Sequence, residues 1–124
     1  LDDLRRQGLA VLMITHDLST AAHYADRIAV MYLGRIVEEG RAHDVVHDPK
    51  HPYTQALLSV VPQRDPRRRA RPEILRGETP DAVHIPRGCR FHPRCPIAIP
   101  ECKEIDPELR GVGAERQRAA CIRA

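Results

Sequence analysis

Four cysteines and one His-Asp pair are the residues of this chain whose types and spacing point to chemistry. Cys89, Cys95, Cys102 and Cys121 are separated by five, six and eighteen intervening residues. Four thiolates can complete a tetrahedral metal site or hold an iron–sulfur cluster. The paired C-x₂-C knuckles of a zinc ribbon are missing from the sequence, and so is the run C-x₂-C-x₂-C. The longer spacings make a wider loop, which suits a bulky cluster better than a single ion. Pro93, Pro96 and Pro100 stiffen that loop and remove competing backbone donors. Arg87, Arg90, Arg94 and Lys103 lie alongside, where they either offset the charge of an anionic cluster or stay solvated. Zinc, and free thiols or disulfides, stay open as alternatives.

The second feature is His16-Asp17, which ends the apolar run Leu9-Ala10-Val11-Leu12-Met13-Ile14. The run has no alternation, so both faces ask for burial, as in a central strand of a parallel sheet. Ligands of open α/β sheets bind at the carboxyl ends of strands. A histidine there can donate to a phosphate or to a developing transition-state charge, with a helix N-terminus directly after it. The plainer alternative is that Thr15 or Asp17 caps the helix and His16 is an ordinary surface residue.

The elements that must position these groups divide by composition. Residues 1–62 hold 30 apolar residues and three prolines, whereas residues 63–124 hold 22, half of them Ala or Cys, and eight prolines. The first half predicts a helix end over residues 1–6 closed by Gly8, a strand over 9–15 and a helix from Asp17 to Ala25. Leu18, Ala21, Ala22 and Ala25 share one face of that helix. "RIAVMY" and "RIVEEG" predict a hairpin across Leu33-Gly34. "RAHDVVHD" predicts a short helix stopped by Pro49, and "HPYTQALLSVVP" a helix with Pro52 in its first turn and Pro62 at its end. One strand cannot make an α/β core, so the missing strands are expected upstream and the chain reads as part of a longer protein. Beyond Pro62, "QRDPRRRARPE" is an Arg- and Pro-rich linker, and "ILRGETPDAVHIPRGCRF" is expected to add one or two short strands. The tail has about eleven large apolar side chains, and so small a unit usually needs a staple. A structural metal centre supplies roughly 10 kcal/mol or more.

The stretch "VLMITHDLSTAAHYADRIAVMYLGRIVEEG" closely resembles the C-terminal part of the nucleotide-binding domain of ABC transporters. "HPYTQALLSVVP" is similar to the extension found in the oligopeptide, dipeptide and nickel branch of ABC importers. The tail "GCRFHPRCPIAIPECKEIDPEL…C" resembles the C-terminal domain of that same branch. The resemblance implies an α/β fold: the C-terminal third of a P-loop nucleotide-binding domain, then a small, loop-rich, cysteine-containing domain. The implied divisions are residues 1–48 for the domain end with its H-loop, 49–62 for the helical extension, 63–86 for the linker and 87–124 for the four-cysteine domain.

The resemblance further implies that His16 is the switch histidine, contacting the γ-phosphate of ATP and helping to place the attacking water beside a catalytic glutamate. Phosphoryl transfer depends on such positioning and charge stabilisation. It implies ATP with Mg as the cofactor of the parent protein, and a [4Fe–4S] cluster on Cys89, Cys95, Cys102 and Cys121. The implied partners are a second ATP-binding subunit and transmembrane permease subunits, at the cytoplasmic face of the membrane. The chain departs from the family in having no G-x-x-x-x-G-K-[ST], signature motif, Walker B acid, catalytic glutamate or Q-loop. All of these precede the switch histidine in the family, so the 124 residues alone are not expected to hydrolyse ATP.

Other features carry less. The net charge of +3 demands no nucleic-acid partner. No apolar run reaches the length of a membrane span, so neither a membrane helix nor a cleavable signal is expected, which with the cysteines points to a cytosolic setting and to metal before disulfides. His43 and His47 stand four apart, a chelating spacing more often met on a solvated helix face, and His92 could replace one cysteine ligand. His23, His51 and His84 invite a metal reading as well, and it is discounted. Tyr53 reads as a core or interface residue. Arg64, Arg67, Arg68, Arg69 and Arg71 read as a solvated linker near the membrane partner. With one Phe, three Tyr and no Trp there is no stacking platform for single strands. The rival readings are an independent iron–sulfur or zinc module with a regulatory role, and a zinc-stabilised nucleic-acid binder. A P-loop upstream of Leu1 separates the first reading from both.

Overall fold

The structure, a computed structural model, describes residues 1–62, 67, 75, 77, 81–113 and 116–124. In chain order these form helix α1 (Asp2–Arg6), helix α2 (Leu18–Tyr24), strands β1 (Arg27–Tyr32) and β2 (Arg35–Arg41), helices α3 (Ala42–His47) and α4 (Pro52–Ser59), and strands β3 (Arg110–Gly111) and β4 (Arg118–Ala119). The architecture is mixed α/β. Its sheet is antiparallel with order β1-β2-β4-β3, so the C-terminal tail adds two short strands to the hairpin of the first half.

The hairpin forms where expected. Leu33 and Gly34 both have positive φ, 45° and 76°, which matches the right-handed twist of the strands they join. Ile28, Val30 and Tyr32 of β1 alternate into the core, where they meet Val37, Ala42, Val45 and Phe91. Leu18 and Ala21 of α2 and its cap Ala25 pack against this cluster, three of the four residues the helical spacing puts on one face. Tyr53 of α4 joins it too, with its ring 4.7 Å from that of Tyr32 and 5.5 Å from that of Phe91.

Strand β2 carries a β-bulge. Val30 pairs with Glu38 and Met31 with Ile36, which leaves Val37 as the extra residue. A bulge lets two successive side chains escape strict alternation. Val37 and Glu38 are both buried, Glu38 completely.

Two expectations are corrected. Residues 9–15 carry no strand, and Leu12 and Ile14 are about nine-tenths exposed. A parallel strand buried on both faces exists only between neighbours, and the four strands of the described sheet pair elsewhere. The short strands expected over 74–91 are also missing from the described part of that stretch: residues 81–91 form bends and turns. The rest of the linker, with Arg64, Arg68, Arg69 and Arg71, lies outside the described residues. No helix among the described residues is long and apolar enough to cross a membrane.

Candidate functional site

The four cysteines are brought to one pocket by a series of tight turns. Gly88 has φ +72, and a Cβ there would lie 2.5 Å from the Cys102 carbonyl oxygen, so only glycine lets these two backbone segments meet. The Cys89 N–H then donates to the Cys102 carbonyl at 2.8 Å. Two 3₁₀ turns, His92–Arg94 and Pro100–Lys103, carry the chain through Cys95 and Cys102, each with a proline in its first positions. The Cys89 carbonyl accepts from the His92 N–H at 3.0 Å and from its ring Nδ1 at 2.8 Å. Cys121 arrives from the far end of the chain, just after β4.

All four cysteines line this pocket, together with His51, Pro52, Phe91, His92 and Arg123. All four are free, so the disulfide alternative is not formed. Burial pushes the Cys89 thiol up from its ordinary range, and the charges of Cys102 and Cys121 add to the rise. Cys95 is raised in the same way, by burial first and then by Cys121, Cys89 and Cys102. Such thiols must release protons to bind any metal. Among the described residues no group of three or more His, Cys, Asp or Glu is gathered closely enough to hold a single metal ion. That finding supports neither zinc nor an iron–sulfur cluster on these thiols, and both readings rest on residue type and spacing.

The cations expected beside the cysteines are differently employed. Arg87 pairs with Glu104 at 2.9 Å. Arg90 donates to the Leu33 carbonyl at the hairpin turn, holding tail to hairpin. Arg94 keeps a buried Nε with no hydrogen-bond partner, and Arg123, which the sequence did not single out, is the cation on the pocket wall.

His51 and its neighbours form the second half of the site. The His51 Nδ1 accepts the Tyr53 N–H at 3.1 Å and so caps α4, which places the ring proton of the neutral form on Nε2. The Ala120 carbonyl lies beside the ring. Burial lowers the pKa of His51 to about 4, against a small opposing effect of that carbonyl. Glu38 accepts the Lys50 N–H at 2.8 Å, the His51 N–H at 2.9 Å and the Gln117 side-chain amide at 3.0 Å. Glu38 and Gln117 escape a reading of the sequence altogether: the first is hidden by the bulge, the second by a two-residue strand. The one available signal was Phe91, the only phenylalanine of the chain, set between cysteines in the tail.

His16 lies apart from the cysteine site, exposed at the N-terminal side of α2. Asp17 is the helix cap: it accepts the Ser19 N–H at 3.0 Å and the Ser19 hydroxyl at 2.9 Å, and also bonds the Thr20 hydroxyl. These bonds, Thr20's first, hold the Asp17 carboxyl below its usual pKa. The Thr15 hydroxyl accepts the Asp17 N–H at 3.0 Å. His43 and His47 stack with ring centres 4.3 Å apart on the outer face of α3, and no third ligand gathers with them among the described residues.

The family described as the oligopeptide/dipeptide transporter C-terminal region matches residues 37–102. The chain belongs to this family. The matched stretch takes in Glu38, the His-Pro-Tyr-Thr segment and three of the four cysteines. Among curated relatives, the oligopeptide transport ATP-binding protein OppF of Salmonella typhimurium is 45% identical over 121 residues, covering 96% of this chain and 36% of that protein. OppF of Escherichia coli is 44% identical over 121 residues, again 96% and 36%. The dipeptide transport ATP-binding protein DppD of Haemophilus influenzae is 43% identical over 112 residues, covering 90% of this chain and 34% of that protein. The chain thus spans little more than a third of the length of these relatives.

Proposed function

We propose that the chain is the C-terminal part of the ATP-binding subunit of a peptide-type ABC importer, which couples ATP hydrolysis to uptake of peptides or related solutes such as nickel. The observation that carries this reading is the match of residues 37–102 to the oligopeptide/dipeptide transporter region, with relatives named as oligopeptide and dipeptide transport ATP-binding proteins at 45% and 43% identity. Hydrolysis belongs to the parent protein, where ATP and Mg are held mostly by a P-loop nucleotide-binding domain whose motifs the 124 residues do not contain. In that domain His16 is the switch histidine, presented by the turn that Thr15 and Asp17 fix, and it donates to the γ-phosphate as charge develops there. The partners are a second ATP-binding subunit and the permease subunits, at the cytoplasmic face of the membrane.

The four-cysteine pocket holds a [4Fe–4S] cluster in this reading, with Cys89, Cys95, Cys102 and Cys121 as its ligands and zinc as the alternative. When bound, the cluster supplies a structural cross-link among four thiolates, and through it a sensitivity to oxygen. The residues around it exclude water and fix the loop: Phe91 and Pro52 wall the pocket, and Arg123 offers a cation to the anionic site. Against an independent metal module stands the sheet itself, since β4 pairs with β2 and Phe91 sits in the hairpin's core.

The testing experiment is iron, sulfide and zinc analysis with a visible spectrum on the anaerobically purified parent protein. Four iron and four sulfide per chain, lost in Cys95→Ser, is the expected result. One zinc without iron would keep the transporter reading and remove the cluster; no metal would remove both metal readings.

A further inference from the structure

Three of the four cysteines lie within one loop, but Cys121 comes from a segment that the loop does not control. What holds that segment is a set of buried polar contacts. Gln117, itself buried, donates its amide to Glu38 at 3.0 Å and to the Asp48 carbonyl at 2.9 Å. Ala120 donates its N–H to the Val37 carbonyl at 2.8 Å, beside the bulge. The Ala120 carbonyl faces the His51 ring, and that ring forms part of the pocket wall next to Cys121. Glu38 is fully buried and ties the entry of α4, through Lys50 and His51 N–H, to the tail through Gln117. A buried carboxylate with three donors is costly to leave half-satisfied. The tail is therefore seated in one register or released.

We propose that Glu38, His51 and Gln117 are positioning residues that latch the segment 117–121 onto β2 and α4 and so bring the Cys121 thiol to the other three. The purpose of the latch rests on reading the four cysteines as one cofactor site; its existence does not. The His-Pro-Tyr-Thr segment thereby has a role in the cysteine site: His51 caps α4 with one ring nitrogen and faces the Cys121 segment with the other edge.

The test separates latching from general stability. Gln117→Met keeps the length and shape of the side chain and removes its hydrogen bonds. His51→Asn keeps an oxygen that can cap Tyr53 N–H but is too short to meet Ala120. Alkylation of each cysteine is followed by mass spectrometry in the full-length parent protein after iron is stripped with a chelator. Both variants are expected to label Cys121 about fivefold faster than the wild type, the equilibrium weight of one typical hydrogen bond, with Cys89 and Cys102 changed less than about twofold. Wild-type rates at Cys121 in both variants would overturn the proposal, and so would an equal rise at all four thiols. Iron is measured separately in the unstripped proteins. A wild type without iron would sink the cofactor reading alone, because the labelling rates judge the latch without it.

Discussion

Glu38 of β2 and Gln117 of the tail meet at 3.0 Å inside the protein, although 79 positions separate them in sequence. This contact makes the hairpin and the cysteine tail one folded unit. It forms because the bulge at Val37 turns Glu38 inward, toward the start of α4, where two backbone N–H groups also need an acceptor.

Removing that acceptor exposes its worth. Glu38→Ala leaves the Lys50 and His51 N–H groups and the Gln117 amide without their shared partner in a buried place. The expected loss is about 3 kcal/mol, toward the upper end for stranded buried donors. Urea unfolding of wild type and variant measures it, and a change under about 0.5 kcal/mol, the range of ordinary surface substitutions, would show that water replaces the carboxylate freely.

Gly88 is the other position where the backbone leaves no choice. In Gly88→Ala the new methyl meets the Cys102 carbonyl and the Lys103 backbone at 2.5 Å, in a left-handed conformation that already disfavours a side chain. A loss of at least about 2 kcal/mol is expected from the conformation and the displaced backbone together. The Cys89–Cys102 hydrogen bond should break first, so amide exchange at Cys89 ought to accelerate more than at Val30 in the core. Equal acceleration at both sites would count against this local account.

The sequence was most legible where structure is local. The hairpin needed only two apolar runs and Leu33-Gly34, and α2 needed only its apolar face and Asp17. Residues 9–15 misled, because an apolar run reports a demand for burial and not the presence of neighbours that meet it. Glu38 was invisible for the opposite reason. Strict alternation puts it on the outward face with Ile36, and only the register shift against Val30 and Met31 turns it inward. Strands β3 and β4 are two residues each, too short for any period. The cysteines stood out by type alone, but the pocket they line is reached through the close approach of Gly88 to Cys102, which exists only in three dimensions.

Acid should loosen the same region. Burial holds His51 at about 4 in the folded protein against 6.5 for the free side chain. Its folded pKa is the lower one, so between those values the unfolded chain binds a proton that the folded chain refuses. Stability is therefore fully present above pH 6.5 and falls as pH drops toward 4, by about 3 kcal/mol at about 1.4 kcal/mol per unit. Urea midpoints between pH 7.5 and 4.5 trace this slope. His51→Gln should flatten it, and an unchanged slope in that variant would assign the acid sensitivity to other groups.

The last prediction concerns His16, whose side chain is exposed beside the α2 cap. The side chain has no core to support, so His16→Ala should leave the stability of the parent subunit within about 0.5 kcal/mol. Its turn is fixed independently by Thr15 and by the Asp17 cap on Ser19 and Thr20, so the variant keeps the local backbone as well. A switch histidine acts in the transition state, where a single lost donor costs about 100- to 1000-fold in rate. ATP turnover by the full-length subunit with its permease partners should fall by that factor, while the affinity for ATP changes little. Loss of ATP binding together with rate would place His16 in uniform nucleotide binding. Full activity would return it to the plain reading of a surface residue beside a helix cap.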